Sequence, residues 1–413
     1  MAATTQLHVA IVGGGFGGAA CAIACARHGM KVTLLEQASQ LLPIGDSIGF
    51  GSNVVKLFKR WGMHDDLWAI ASRATTAVAH DFKGDVLGVD HTVGEAEAKY
   101  GHAGIIGHRG DLHMIFMDHC KKNGVDIRLG NRITKFDPAK PSVTLPSGEE
   151  LVVDAVIASD GVKSFGREQV LGWFDKPIHS GYAVYRAYSK ADAFKNDELA
   201  KHFVNNGPDV HGLVTSQRNG EEINAVLTHK DVADIDEGWS IPGKREDVLK
   251  LLSGWDPAFV RVWEKIDNII DWKLVYRPCL EKWVSDSGLI AIVGDAAHPF
   301  LPTSTQGASQ AIEDGATVAL CLAKAGKGNV PLALHTYFEL RHDYVAKAQM
   351  TGITQRQKWH NAHDKESGAI DPEFDILANG GLLDSYYLWE NDCERVVETK
   401  WDEVSAKVRE KLQ

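Results

Sequence analysis

Gly13, Gly15 and Gly18 stand between an apolar run, Leu7 to Gly13, and a run of small residues reaching Arg27; Glu36 lies near the end of a second apolar run, Lys31 to Gln37. Strand, Gly-x-Gly-x-x-Gly, helix, strand and acid is the order that a dinucleotide pyrophosphate requires. Gly13 permits the tight turn, Gly15 lets the backbone approach the pyrophosphate, and Gly18 lets helix and strand pack closely. The helix N-terminus then offers unpaired N–H groups and the positive end of its dipole to the anion. Glu36, 23 residues after Gly13, can accept bonds from a ribose 2′-hydroxyl, which favours FAD or NAD over a 2′-phosphate. Cys21 and Cys25, set among alanines on the same helix, read as core residues in a C-x-x-x-C spacing that redox pairs do not use.

One βαβ fingerprint does not separate FAD from NAD. Three later segments do. Ala158-Ser-Asp160-Gly161-Val-Lys-Ser164-Phe-Gly-Arg167 resembles the "DG" motif of FAD-dependent aromatic hydroxylases, the salicylate hydroxylase-like group of class A flavoprotein monooxygenases. Leu289 to Pro299, with Gly294-Asp295, resembles their "GD" motif, and Pro302 to Ala308 with Glu313-Asp314-Gly315 resembles the segment that follows. Gly45 to Gly49, Asn53, Arg109 in HRGDLH and Tyr182 to Arg186 also look family-like. One departure is Thr305, where many relatives have glycine, so that loop is less free in its backbone.

The resemblance implies FAD as cofactor, with NADH or NADPH as a transient co-substrate. It places Glu36 on the ribose, Gly49 against the flavin, Arg109 near the pyrophosphate or ribityl chain, and Asp295 on the ribityl hydroxyls. Gly307 and Ala308 would offer N–H groups to the pyrimidine end of the flavin, and Asp160 would serve the flavin or nicotinamide side. Each has a plainer reading: Asp295 as a helix cap, Asp160 as a turn residue and Arg109 as a surface ion pair. The family chemistry is a C4a-hydroperoxyflavin, formed with O2, that delivers OH to an electron-rich ring. Arg186 would hold a phenolate or carboxylate, or else forms an ion pair on the sheet; His211 would take a phenolic proton, or else is structural. Tyr182, Tyr185 and Pro302 are candidates for the substrate pocket, although strand alternation puts Tyr182 and Tyr188 on one face and Tyr185 on the other. Oxidative decarboxylation, dearomatising hydroxylation and epoxidation on the same scaffold are the alternatives. A non-catalytic flavin-binding partner protein is another.

Positioning these groups calls for an α/β chain: a Rossmann-type FAD-binding domain, an inserted β-sheet substrate domain and C-terminal helices. The expected parts are 1–75, 101–178 and 277–345 for the FAD domain, 76–100 for an excursion into the substrate domain, 179–276 for that domain, and 346–413 for a helical region. Leu151 to Ser159 reads as one strand, and one helix, Arg245 to Ser253, stands out in the insert. The 413 residues suffice for two domains, and a net charge of −11 opposes a nucleic-acid or anionic-membrane surface. Small molecules are the expected partners, namely an aromatic substrate and O2, for a monomer or homodimer. No transmembrane run, basic-then-apolar leader or C-x-x-C pair is visible, which suggests a cytoplasmic setting. The chain has one dinucleotide fold and lacks the C-x-x-x-x-C of disulfide reductases. Trp239-Ser-Ile-Pro242 only partly matches the W-x-W-x-I-P of flavin halogenases, because residue 237 is Glu, and His360 with His363 reads as a solvated face rather than a metal site.

Overall fold

The computed structural model describes residues 6–43, 45–72, 76–173, 178–194, 203–207, 210–218, 221–231, 241–360 and 385–413; Trp239 and His363 lie outside them. Five parallel strands form the nucleotide-side sheet in the order Ile290–Ile292, Ala155–Ala158, His8–Val12, Lys31–Leu35, Asp126–Arg128. Such a sheet is covered on both faces, so its strands read as unbroken apolar runs. Val9 to Ile11, Ala155 to Ala158 and Ile290 to Ile292 are all fully buried.

Helix Phe16–Arg27 packs against the long helix Gly307–Ala325. Small residues allow this approach: a Cβ on Gly315 would lie 2.6 Å from the Cys21 amide nitrogen. Cys21 and Cys25 are therefore part of the core, their sulfurs 4.0 Å apart, and all six cysteines are free thiols. The run Leu151 to Ser159 is two strands rather than one, Glu150–Val152 in a small antiparallel sheet and Ala155–Ala158 in the parallel one. Asp154 marks the break: its N–H donates to the His8 carbonyl, and its carboxylate accepts the His8 N–H at 2.8 Å.

The second sheet has eight strands, ordered Ile241–Pro242, Ile270–Tyr276, Ile178–Lys190, Glu222–Lys230, Val210–Gln217, Phe203–Gly207, Ala77–Asp81, Val86–Asp90. The last two come from the 76–100 segment and join through a parallel pairing with Phe203–Gly207. One face is covered by helices Arg245–Leu251 and Pro257–Lys265. The second of these is absent from the sequence reading, which took Trp255-Asp256-Pro257 as an end; the Asp256 carboxylate accepts the Ala258 N–H and Pro257 opens the helix.

Helix Val330–His360, 31 residues long, runs straight through the boundary expected at 345. It begins beside Gly307–Ala325 and ends over the face of the eight-stranded sheet opposite helices Arg245–Leu251 and Pro257–Lys265, where Arg356 lies 4.6 Å from the Tyr182 ring centre and Trp359 meets His211 edge-to-face at 5.0 Å. Helix Cys393–Leu412 closes the chain against both long helices. Among the described residues no helix is long and apolar enough to cross a membrane.

Candidate active site

The anchor is set by backbone crowding. Gly13 takes φ 101°, and a Cβ there would sit 2.2 Å from the Ser159 carbonyl oxygen; one on Gly18 would sit 1.9 Å from the Gly13 carbonyl oxygen. Gly15 has nothing within 4 Å of where a Cβ would stand, which leaves the helix N-terminus bare. Glu36 is pinned by two backbone donors, Gly14 N–H at 2.7 Å and Ala38 N–H at 2.8 Å, and each oxygen keeps a lone pair for a ribose hydroxyl. Open backbone, helix dipole and fixed carboxylate together fit a nucleotide pyrophosphate and its ribose.

Deeper along the same side lies Asp295. Its side chain is accessible at the 3₁₀ turn Gly294–Ala296, and burial raises its carboxyl pKa, opposed by His298 and Arg109. Arg109 is exposed, sits 6.0 Å from the Phe16 ring centre, and donates its N–H to the Asp46 carbonyl at 2.7 Å. Gly49 lies on strand Ser47–Phe50, paired with Ile106 of strand Ile105–His108. Gly307 and Ala308 open helix Gly307–Ala325, so their N–H groups are among those without an intrahelical acceptor. Beside them Gln306 Nε2 and Ser309 Oγ are buried without a partner among the described residues. A carboxylate for hydroxyls, free amides and unpaired buried polar atoms are what the ribityl chain and ring edge of FAD would occupy. Pro302 opens the 3₁₀ turn Pro302–Ser304, and Thr305 follows in the left-handed region at φ 52°. The turn is braced by Thr303, whose hydroxyl donates to the Gly352 carbonyl at 2.6 Å.

Asp160, expected on the flavin or nicotinamide side, makes its bonds within its own turn. One carboxylate oxygen accepts from the Ser164 hydroxyl and the other from the Gly166 N–H at 2.9 Å, so it holds its own turn and the start of helix Phe165–Leu171. Burial, the larger influence, raises its carboxyl pKa. Arg167, from the same motif, is buried and donates to the Ala296 carbonyl at 3.1 Å, which ties the "DG" turn to the "GD" turn.

Sequence reading missed the buried network centred on Arg341, Glu313 and Asp314. Asp314 accepts from Arg341 Nε at 2.8 Å and from the Gly294 N–H at 3.0 Å, and pairs with His298 Nε2 at 2.6 Å. Glu313 accepts from Arg341 at 2.6 Å, Asn53 at 2.7 Å and Asn391 at 2.8 Å. Burial would raise the Asp314 carboxyl, but His298 and Arg341 hold it below its ordinary value; for Glu313 burial wins and its carboxyl is raised. Two adjacent acids inside the apolar run Ala311 to Leu322 were the available signal, since buried carboxylates need partners.

On the eight-stranded sheet, cross-strand pairing places Arg186 with Val226 and Leu213, and Val184 with Thr228 and His211. Arg186 and His211 therefore share a face, with Tyr182 and Tyr188. Arg186 is not a lone cation: NH1 meets Asp46 at 2.7 Å, and the guanidinium lies 4.1 Å from the Trp272 ring centre. Burial lowers its pKa, Asp46 opposes that and Arg109 adds to it. Tyr185 points to the other face. It stacks on His229 at 4.2 Å within the apolar cluster under the two helices, on the face opposite Arg186 and His211, and burial pushes its hydroxyl up to about 12.

Residues 6–351 match the family described as FAD binding domain. Asperlicin C monooxygenase of Petromyces alliaceus is 32% identical across 87% of this chain and 81% of its own. An FAD-dependent monooxygenase of Aspergillus versicolor, notI', is 33% identical across 98% of this chain and 94% of its own. Among solved structures, CtdE in complex with FAD and its substrate 4 superposes with a TM-score of 0.87 at 27% identity, covering 98% of this chain and 100% of that one. A salicylate hydroxylase substrate complex shares the fold, with a TM-score of 0.80 at 21% identity over 96% and 98% of the two chains. These matches set aside a non-catalytic flavin-binding role: the chain belongs to the FAD-dependent monooxygenases, enzymes built on a Rossmann-type FAD-binding domain.

Proposed function

We propose that this monooxygenase uses NADH or NADPH and O2 to hydroxylate a small aromatic or phenolic substrate held against the open face of the eight-stranded sheet. The supporting observation is the shared face: Arg186 and His211 project from one side of that sheet, and Arg186 is tied to Asp46 in the loop before the flavin-side strand. FAD, when bound, would carry two electrons from the nicotinamide to O2, so that one atom of O2 passes to the ring and the other leaves as water. Gly13, Gly15, Gly18 and Glu36 hold its nucleotide end, Arg109 and Asp295 its middle. The Gly307 and Ala308 amides face the ring edge where negative charge gathers on reduction.

Arg186 orients an anionic substrate oxygen, and His211 takes a phenolic proton. The Pro302 turn bounds the ring on the flavin side, and the end of helix Val330–His360 covers the face against water. One observation favours a second reading. Asp46 already neutralises Arg186, which suits oxygen transfer to an electron-rich ring bond without prior deprotonation, as in epoxidation or dearomatising hydroxylation.

A panel of salicylate, simple phenols, hydroxy-heteroaromatics and asperlicin C, offered to the FAD-loaded protein with NADH and with NADPH, tests both readings. The proposal expects at least one compound to stimulate nicotinamide oxidation and yield an oxygenated product by mass. A flavin-loaded enzyme whose nicotinamide oxidation no aromatic compound accelerates contradicts it.

A further inference from the structure

We infer that the substrate presents a carbonyl-type oxygen to the indole Nε1 of Trp359, which makes Trp359 a specificity-determining residue. This rests on reading the open sheet face as the substrate site. Trp359 is 6% exposed, and its Nε1 has no hydrogen-bond acceptor among the described residues. Buried N–H groups are rarely left unpaired in folded proteins, so an unpaired one beside a ligand site points to an acceptor on the ligand.

Trp263, Trp283 and Trp389 also carry an unpaired Nε1, but each lies within an apolar cluster. Trp359 instead meets His211 on the face shared with Arg186. Its position is fixed by the helix: Gly352 and Trp359, seven residues apart, fall on one side of Val330–His360. Gly352 touches the Pro302–Ser304 turn, through the Thr303 bond, and Trp359 touches the substrate sheet two turns on. The helix therefore joins the flavin-side wall of the pocket to its outer end.

Arg186 supplies a second unpaired buried donor, Nε, while its NH1 is held by Asp46. Both unpaired groups are donors, so the matching ligand offers acceptors. Arg186 and His211 stand two strands and two residues apart, roughly 12 Å between backbones. That span suits a fused-ring substrate whose reacting ring lies by Arg186 and whose carbonyl end reaches the Trp359 indole.

The test is binding of 1-indanone and of indane, which share a ring frame and differ in the carbonyl, followed by perturbation of the flavin absorbance of the FAD-loaded enzyme. Wild type is expected to bind 1-indanone about tenfold more tightly than indane. Trp359→Phe, which keeps a ring and removes the donor, is expected to bring the two affinities together while FAD occupancy stays unchanged. Equal affinities in wild type, a carbonyl preference that survives in Trp359→Phe, or no perturbation by either compound overturns the inference. If Trp359→Phe does not hold FAD, the wild-type pair decides alone. Binding is read without turnover, so a carbonyl preference in an enzyme that no aromatic stimulates counts against the proposed oxygenation and not against the Trp359 contact.

Discussion

Thr305 sits at φ 52° two residues before helix Gly307–Ala325, in a backbone region that glycine enters freely and a β-branched residue does not. Thr305→Gly is expected to relieve about 1 kcal/mol of strain, less what glycine adds to the freedom of the unfolded chain. A slightly higher thermal midpoint with unchanged FAD occupancy would bear this out; a lower midpoint would show that the Thr305 hydroxyl, which donates to the Ser304 carbonyl, matters more. Asp295→Ala is expected to lower FAD occupancy, since its accessible carboxylate can accept from ligand hydroxyls, and Asp295→Asn to keep part of it, because an amide oxygen still accepts from hydroxyls. Titration of apoprotein with FAD measures both. Arg186→Ala is expected to keep the flavin and lose about a hundredfold in substrate-stimulated nicotinamide oxidation. Full stimulation in that variant would remove Arg186 from the substrate site.

At the scale of elements, Arg341 joins helix Val330–His360 to helix Gly307–Ala325 by bonding both Glu313 and Asp314. Arg341→Met would leave two buried carboxylates without their cation, a loss on the order of 3–5 kcal/mol, to be read as a lower denaturation midpoint. The pH dependence follows from Asp314. Its folded pKa lies below the unfolded value of about 4, so its contribution is complete above that value and is lost as pH falls through the folded pKa. Asp314→Asn is expected to flatten the acid limb of the stability profile; an unchanged limb would assign it to other groups. Which elements were legible from sequence has the same physical basis. The βαβ start was plain because both-sided burial writes unbroken apolar runs and the phosphate turn demands glycine. Leu151 to Ser159 looked like one strand because apolar residues flank Asp154 on both sides, and only tertiary pairing with His8 shows the break. Helix Pro257–Lys265 was hidden because Asp-Pro reads as a stop as well as a cap and first turn.

Across the whole molecule, helix Val330–His360 links the side of the five-stranded sheet to the eight-stranded sheet. Its passage through residue 345 cannot be read from local pattern, since a boundary there depends on what the helix covers. The crowded turn at Gly13 and Gly18 was legible because its backbone geometry dictates glycine. The eight-stranded sheet was less so: Arg186 and His211 share a face by alternation and register, but the Asp46 pairing and the Trp359 contact come from segments 140 and more than 140 residues away in sequence. The most direct test of the account is turnover under isotopically heavy O2 with the compound that best stimulates nicotinamide oxidation. The account predicts that one heavy oxygen atom appears in the product, with the second leaving as water. Product oxygen drawn from water, or nicotinamide oxidation that yields only hydrogen peroxide with every compound, would contradict it.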